Sequence, residues 1–236
     1  MNFGVIIPYL LLALGILFTV IYVREKLEAY TIKAVLLKTT CSVFFMGIAV
    51  SSAVLNWTGA YSALVIIGLL FGLLGDIWLD LKYVYRDDDT IYTFSGFTVF
   101  AIGHVFFLSA LLLRFADFSK PWYLIIPAII GLIIGFGAIA IAPIMKLDYG
   151  KFANITKAYG SLLGAFAALS GSLAIMNGFK VASLDVMFVG AVMFLLSDLV
   201  LSGTYFGGKE RPIDIKLNYI FYYGGQFLIA LSLLYA

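Results

Sequence analysis

Long apolar stretches alternate with short polar ones along the whole chain. Runs near 3–23, 32–54, 60–81, 93–113, 121–142, 153–177, 184–206 and 215–235 are almost free of charge. Each is about 20 residues long, the length a helix needs to cross a bilayer. The pattern therefore predicts an all-α, eight-helix integral membrane protein, a single transmembrane domain over 1–236 with few residues left for anything soluble. The first run lacks a basic start and a small-residue cleavage site, and "IYVREK" follows it without a new domain, so it is expected to be a retained helix and not a signal peptide.

Composition agrees with the pattern. Of the 236 residues 63% are hydrophobic and 12% charged, against a usual charged share of about 25%, and mean hydropathy is +1.07. The net charge of +2 is uninformative, but the placement of charge is not. The loops after helices 1, 3, 5 and 7 hold Arg24, Lys26, Lys82, Arg86, Lys146, Lys151, Lys209 and Arg211, with Lys33, Lys157 and Lys216 near helix starts. The opposite loops hold only Arg114, Lys120 and Lys180. By the positive-inside rule both termini are expected on the non-cytoplasmic side. Cys41 is the only cysteine and His104 the only histidine, which leaves no internal disulfide and no Cys/His metal site to build. No nucleic-acid partner is expected. Short loops and absent tails favour a bacterial plasma membrane, or the endoplasmic reticulum if the source is eukaryotic.

Inside the apolar text lies a repeat. "GLLFGLLGDIWL" (68–79) aligns with "GAVMFLLSDLVL" (190–201) at an offset of 122, matching Asp76 to Asp198, and the same offset carries Gly103 and His104 onto Gly225 and Gln226. Helix 3 then falls on helix 7 and helix 4 on helix 8, so the chain reads as two parallel four-helix repeats, about 1–114 and about 121–236, joined by "RFADFSKP". Repeats of this kind place their sites near the repeat interface.

Charged groups inside a membrane are costly, and such residues are read first as functional. Asp76 precedes Lys82 by six residues, so it sits roughly 9 Å in from the end of helix 3 at 1.5 Å per residue. Asp198 has the matching depth in helix 7. Lys38, Tyr159, Tyr223 and Gln226 enter from the same end, and His104 lies nearer mid-membrane. Asp80 is one turn from Asp76, on a face with Gly72. If the halves face each other, Asp76 and Asp198 share a cavity in which two charges are expensive, so one would remain a neutral acid able to donate a proton. "RDDD" (86–89) reads as a solvated run that starts helix 4. No G-x-S-x-G, H-E-x-x-H or G-x-x-x-x-G-K is present, which leaves carboxylic acid catalysis.

"LLKTT", "LLGDIWL", "FTVFAIGHVFF", "FVGAVMFLLSDLVL" and "YYGGQFLI", in this order over nearly the whole chain, resemble the YhhN-type lysoplasmalogenase family. One departure is Thr39 after Lys38, where family members often have Lys-Pro. The resemblance implies hydrolysis of the vinyl ether bond of a lysophospholipid-type substrate drawn from membrane lipids, with no metal or organic cofactor. Asp76 and Asp198 would be the acid/base pair, with His104 orienting water or one carboxylate. Lys38 would hold the lipid phosphate beside Asp80, Tyr159, Tyr223 and Gln226, and Trp78 would face the headgroup. A proton-coupled transporter is the rival reading, since embedded acids also carry protons. The 23 glycines permit close helix approach, compatible with a homodimer as well as with internal packing.

Overall fold

A computed structural model of the protein describes residues 3–208 and 211–236; Lys209, counted above among the basic loop residues, lies outside the described residues. Eight helices among the described residues are long and apolar enough to cross a membrane. They are α1 (Phe3–Glu28), α2 (Ile32–Leu55), α3 (Ala60–Val84), α4 (Asp89–Phe115), α5 (Trp122–Ala140), α6 (Ala153–Met176), α7 (Ala182–Gly207) and α8 (Pro212–Leu231). No strand occurs among the described residues. The protein is an integral multi-pass membrane protein.

Local chemistry fixes several ends. Thr31 caps α2 by accepting a hydrogen bond from the Ala34 amide at 3.3 Å. Gly208, at φ +62°, takes the left-handed conformation that ends α7. Pro212 opens α8 at a position whose amide has no helical partner to lose. The "RDDD" run is an exposed turn at Arg86–Asp88, followed by Asp89 as the first residue of α4. Helix α1 runs to Glu28, a turn beyond the apolar run, because "VREKLE" continues with good helix formers.

Neighbouring helices pack as hairpins, α1 on α2, α3 on α4, α5 on α6 and α7 on α8. The hairpins join through α2 on α3 and α6 on α7, while α4 on α6 and α8 on α2 close the ring. Several residues 122 apart make equivalent contacts. A Cβ on Gly103 would lie 2.9 Å from the Gly68 carbonyl oxygen, and one on Gly225 would lie 2.8 Å from that of Gly190, so glycine is what lets α4 cross α3, and α8 cross α7, at such short range. Tyr61 and Ser183, themselves 122 apart, meet each other with their hydroxyl oxygens 3.2 Å apart. His104 lies against Phe194, as Gln226 lies against Gly72.

Helices α1 and α5 are peripheral, with most of their apolar side chains exposed, whereas α6 and α8 are largely buried. Polar side chains are therefore met mainly on inward faces. Those that matter for chemistry gather at one end of the bundle, where α3 and α7 finish and α2, α6 and α8 begin.

Candidate functional site

Asp76 and Asp198 line one small cavity. Its wall holds three further pairs that stand 122 residues apart: Leu79 with Leu201, Phe97 with Tyr219, and Phe100 with Tyr222. Lys38, Tyr159, Tyr205 and Asn218 complete it. The volume open to a water-sized sphere is ≈ 20 Å³, enough for about one water, since a single probe sphere occupies about 10–15 Å³.

The two carboxyl groups have unlike surroundings. Asp76 is buried, accepts a 2.6 Å hydrogen bond from the Ser42 hydroxyl, and lies 3.3 Å from the Lys38 ammonium. The Tyr222 hydroxyl also faces it. Asp198 is only half-buried. Its neighbours are the Ser197 hydroxyl at 3.3 Å and the Tyr159 hydroxyl, and among the described residues no cation lies within ion-pair distance of it.

Behind Asp76 stands a charge network, all of it buried. Asp80 accepts hydrogen bonds from the Lys26 ammonium at 3.0 Å, the Lys38 ammonium at 3.3 Å and the Tyr22 hydroxyl at 2.9 Å. Lys38 thus bridges Asp80 and Asp76, and two lysines balance two aspartates. Such a network is stable only while each member is partnered, because an ion stranded in low dielectric costs several kcal/mol. The Lys26 ammonium also lies 4.6 and 4.1 Å from the ring centroids of Tyr30 and Tyr83, which spreads its charge over aromatic faces.

Of the residues expected at a site, Asp76, Asp198, Lys38 and Tyr159 converge on the cavity. Asp80 does not reach it, being enclosed by its three donors. Tyr223 is buried behind the wall and donates to the Lys38 carbonyl at 3.2 Å. Gln226 donates to the Tyr222 hydroxyl at 3.1 Å, leaving its own carbonyl oxygen unpaired. His104 is likewise in the wall: Nδ1 donates to the Phe100 carbonyl at 2.8 Å, Nε2 has no partner, and the rings of Phe107, Tyr159, Phe166 and Phe194 surround it. It touches Asp198 only through Tyr159. Trp78 packs beside Tyr92, ring centroids 5.6 Å apart, and lines no part of the cavity.

Sequence reading passed over Tyr22 and Lys26 on α1, and Tyr222 on α8. A signal existed for each. Tyr22 and Lys26 stand four apart on one helical face at the depth of Asp80, and Tyr222 is the offset partner of Phe100 and one turn before Gln226. No three carboxylate, histidine or cysteine side chains converge among the described residues as a metal site would need.

Neither the curated proteins nor the solved structures include a match to this chain. Over residues 33–233, which take in α2 from its second residue through α8 and every cavity-lining side chain named above, the sequence matches the family model described as YhhN, and the chain belongs to the YhhN family.

Proposed function

We propose that the protein hydrolyses the vinyl ether bond of lysoplasmalogens, releasing a fatty aldehyde and a glycerophospho-base. YhhN membership suggests a membrane hydrolase-type function. The observation that carries the finer reading is the pair of carboxyl groups on one cavity in unlike settings. When surroundings treat two acids so differently, one serves as acid and the other as anion. A carboxyl group partly withdrawn from water with no cation beside it is less costly as the neutral acid, which suits Asp198. Lys38 and Ser42 favour the anion at Asp76.

Asp198 gives its proton to the β carbon of the vinyl ether. The double-bond electrons form the new C–H bond, and positive charge spreads over the α carbon and the ether oxygen. The Asp76 carboxylate stabilises that oxocarbenium ion and takes a proton from the water whose oxygen bonds to the α carbon. In the hemiacetal so formed, the hydroxyl proton passes to Asp198 as the C–O bond to glycerol breaks. The departing oxygen takes the proton held by Asp76, and both carboxyl groups are restored. Lys38, already shared between two aspartates, sets the charge of Asp76 and does not hold phosphate. A neighbouring polar cavity suits that task better: it shares Tyr205, Asn218 and Tyr219 with the site, reaches Lys26, Tyr30 and Tyr83, and lies beside Lys82, whose ammonium is 3.1 Å from the Tyr205 ring centroid. Basic residues near the ends of α1, α3 and α5 support the reading that this end of the bundle faces the cytoplasm.

Transport is disfavoured by the other half of the molecule. Along α3 between Ser62 and Asp76 the buried side chains are Val65 and Leu69, joined by Phe107 and Phe166 from the facing helices, an apolar packing that favours hydrolysis over passage of a polar solute. Purified protein in detergent with a lysoplasmenyl lipid is expected to release aldehyde, detected by mass analysis. Intact lipid together with proton flux in vesicles would replace the hydrolase by the transporter.

A further inference from the structure

The candidate cavity is not closed on all sides. On the flank formed by the second half of the chain it shares Phe97, Tyr159, Asp198, Leu201 and Tyr205 with a second cavity of ≈ 60 Å³. That one shares Ile134, Ala138, Leu195, Leu199 and Ser202 with a third of ≈ 320 Å³ between α5 and α7. The spaces widen outward, and their walls become more apolar along the way, with Ser202 and Tyr149 the polar side chains that remain at the outer one. Ile133, Ile141 and Leu199 at the outer end are 65%, 45% and 51% exposed, on the flank of the bundle that lipid covers.

The opening exists because α5 rests on α6 and does not close on α7. A Cβ on Gly135 would meet the Lys157 carbonyl oxygen of α6 at 2.4 Å, whereas one on Gly137, which lines the outer cavity, would meet nothing within 4 Å.

We infer that the gap between α5 and α7 is the lateral portal and binding groove for the single hydrocarbon chain of the substrate, which enters from the bilayer with its linkage leading to Asp198. The inference rests on the lysoplasmalogenase reading and names its chain subsite. Its occupant follows from continuity with the two carboxyl groups and from the mostly apolar side chains that line the way out, among them Ile134, Ala138, Leu195 and Leu199. Lipid tails are as apolar as the groove wall, so the groove contributes passage and register more than affinity. A chain lying there stays in apolar surroundings while its first carbons reach the acids. The headgroup remains on the polar side, near Lys82.

A probe separates this inference from the chemistry. It is a lysophospholipid with a saturated ether-linked chain, which the proposed reaction cannot cleave, carrying a diazirine at the chain end. It is photolysed with the full-length protein in detergent, with and without excess unlabelled lysophospholipid, and labelled peptides are located by mass spectrometry. Competed labels are expected on α5 near 133–141 and α7 near 195–202. Gly137→Trp, whose side chain projects into the open groove, should reduce them about fivefold or more by filling the space the chain needs. Competed labels instead in the groove of Leu112, Tyr123 and Leu132 on the outer side of α4–α6, or labels at α5 and α7 that excess lipid does not remove, would overturn the portal. Hydrolysis of lysoplasmenyl lipid is measured separately. No aldehyde with competed labels at α5 and α7 refutes the hydrolase and retains a lipid groove; aldehyde with labels elsewhere does the reverse.

Discussion

At the level of the candidate site, α3 carries Asp80 where α7, 122 residues on, carries Ser202. The first half uses that position to assemble charge: Lys26 and Tyr22 from α1 and Lys38 from α2 close around Asp80, which is buried. In the second half, Ser202 lines open cavities, and α5 stands away from α7. The glycines show the same contrast. A Cβ on Gly15 of α1 would strike the Phe227 ring at 2.8 Å, because α1 packs against α8; its offset partner Gly137 meets nothing. Positions 122 apart are thus tightly filled on one side of the bundle and open on the other. One carboxyl group gains a fixed cation, and its counterpart gains access.

This contrast can be broken in order of expected size. Asp198→Asn removes the proposed donor and should lower hydrolysis by about 10²–10⁴-fold, with thermal stability in detergent near native since no ion pair is lost. Lys38→Met should do the opposite kind of harm, stranding Asp76 and Asp80 with one lysine between them and destabilising the fold by about 3–5 kcal/mol, read from denaturant titration. A fold as stable as native would show the network to be dispensable. Gly15→Leu should cost about 1–3 kcal/mol through overpacking against Phe227, while Gly137→Leu stays within about 0.5 kcal/mol. Equal losses at the two positions would contradict the asymmetry. His104→Gln, which copies its counterpart at 226, should reduce turnover by less than about tenfold, because the ring acts on Asp198 only through Tyr159. A larger loss would place the imidazole in direct contact with substrate.

Much of this was legible in sequence for a plain reason. Bilayer-length apolar runs announce spanning helices, and within them Asp76, Asp198 and Lys38 are conspicuous because charge there is expensive. The offset of 122 then brings the two acids to one depth. What stayed hidden depends on packing between distant elements. Lys26 reads as an ordinary basic loop residue until α1 is seen to continue to Glu28 and carry it inward. Asp80 and Gln226 read as cavity groups, but their partners on α1 and α8 absorb them into the wall. The opening beside α5 leaves no mark in hydropathy, since a lipid-facing helix and a groove-lining helix are equally apolar.

The proposed reaction turns on proton transfer from Asp198 to carbon. Hydrolysis of a lysoplasmenyl lipid by purified protein in heavy water, with the aldehyde reduced as it forms and analysed by mass, reads that step directly. A single deuterium on the carbon next to the former aldehyde carbon, and almost no product from Asp198→Asn, is the predicted result. Product without deuterium at that carbon, or product from Asp198→Asn at the native rate, would contradict it.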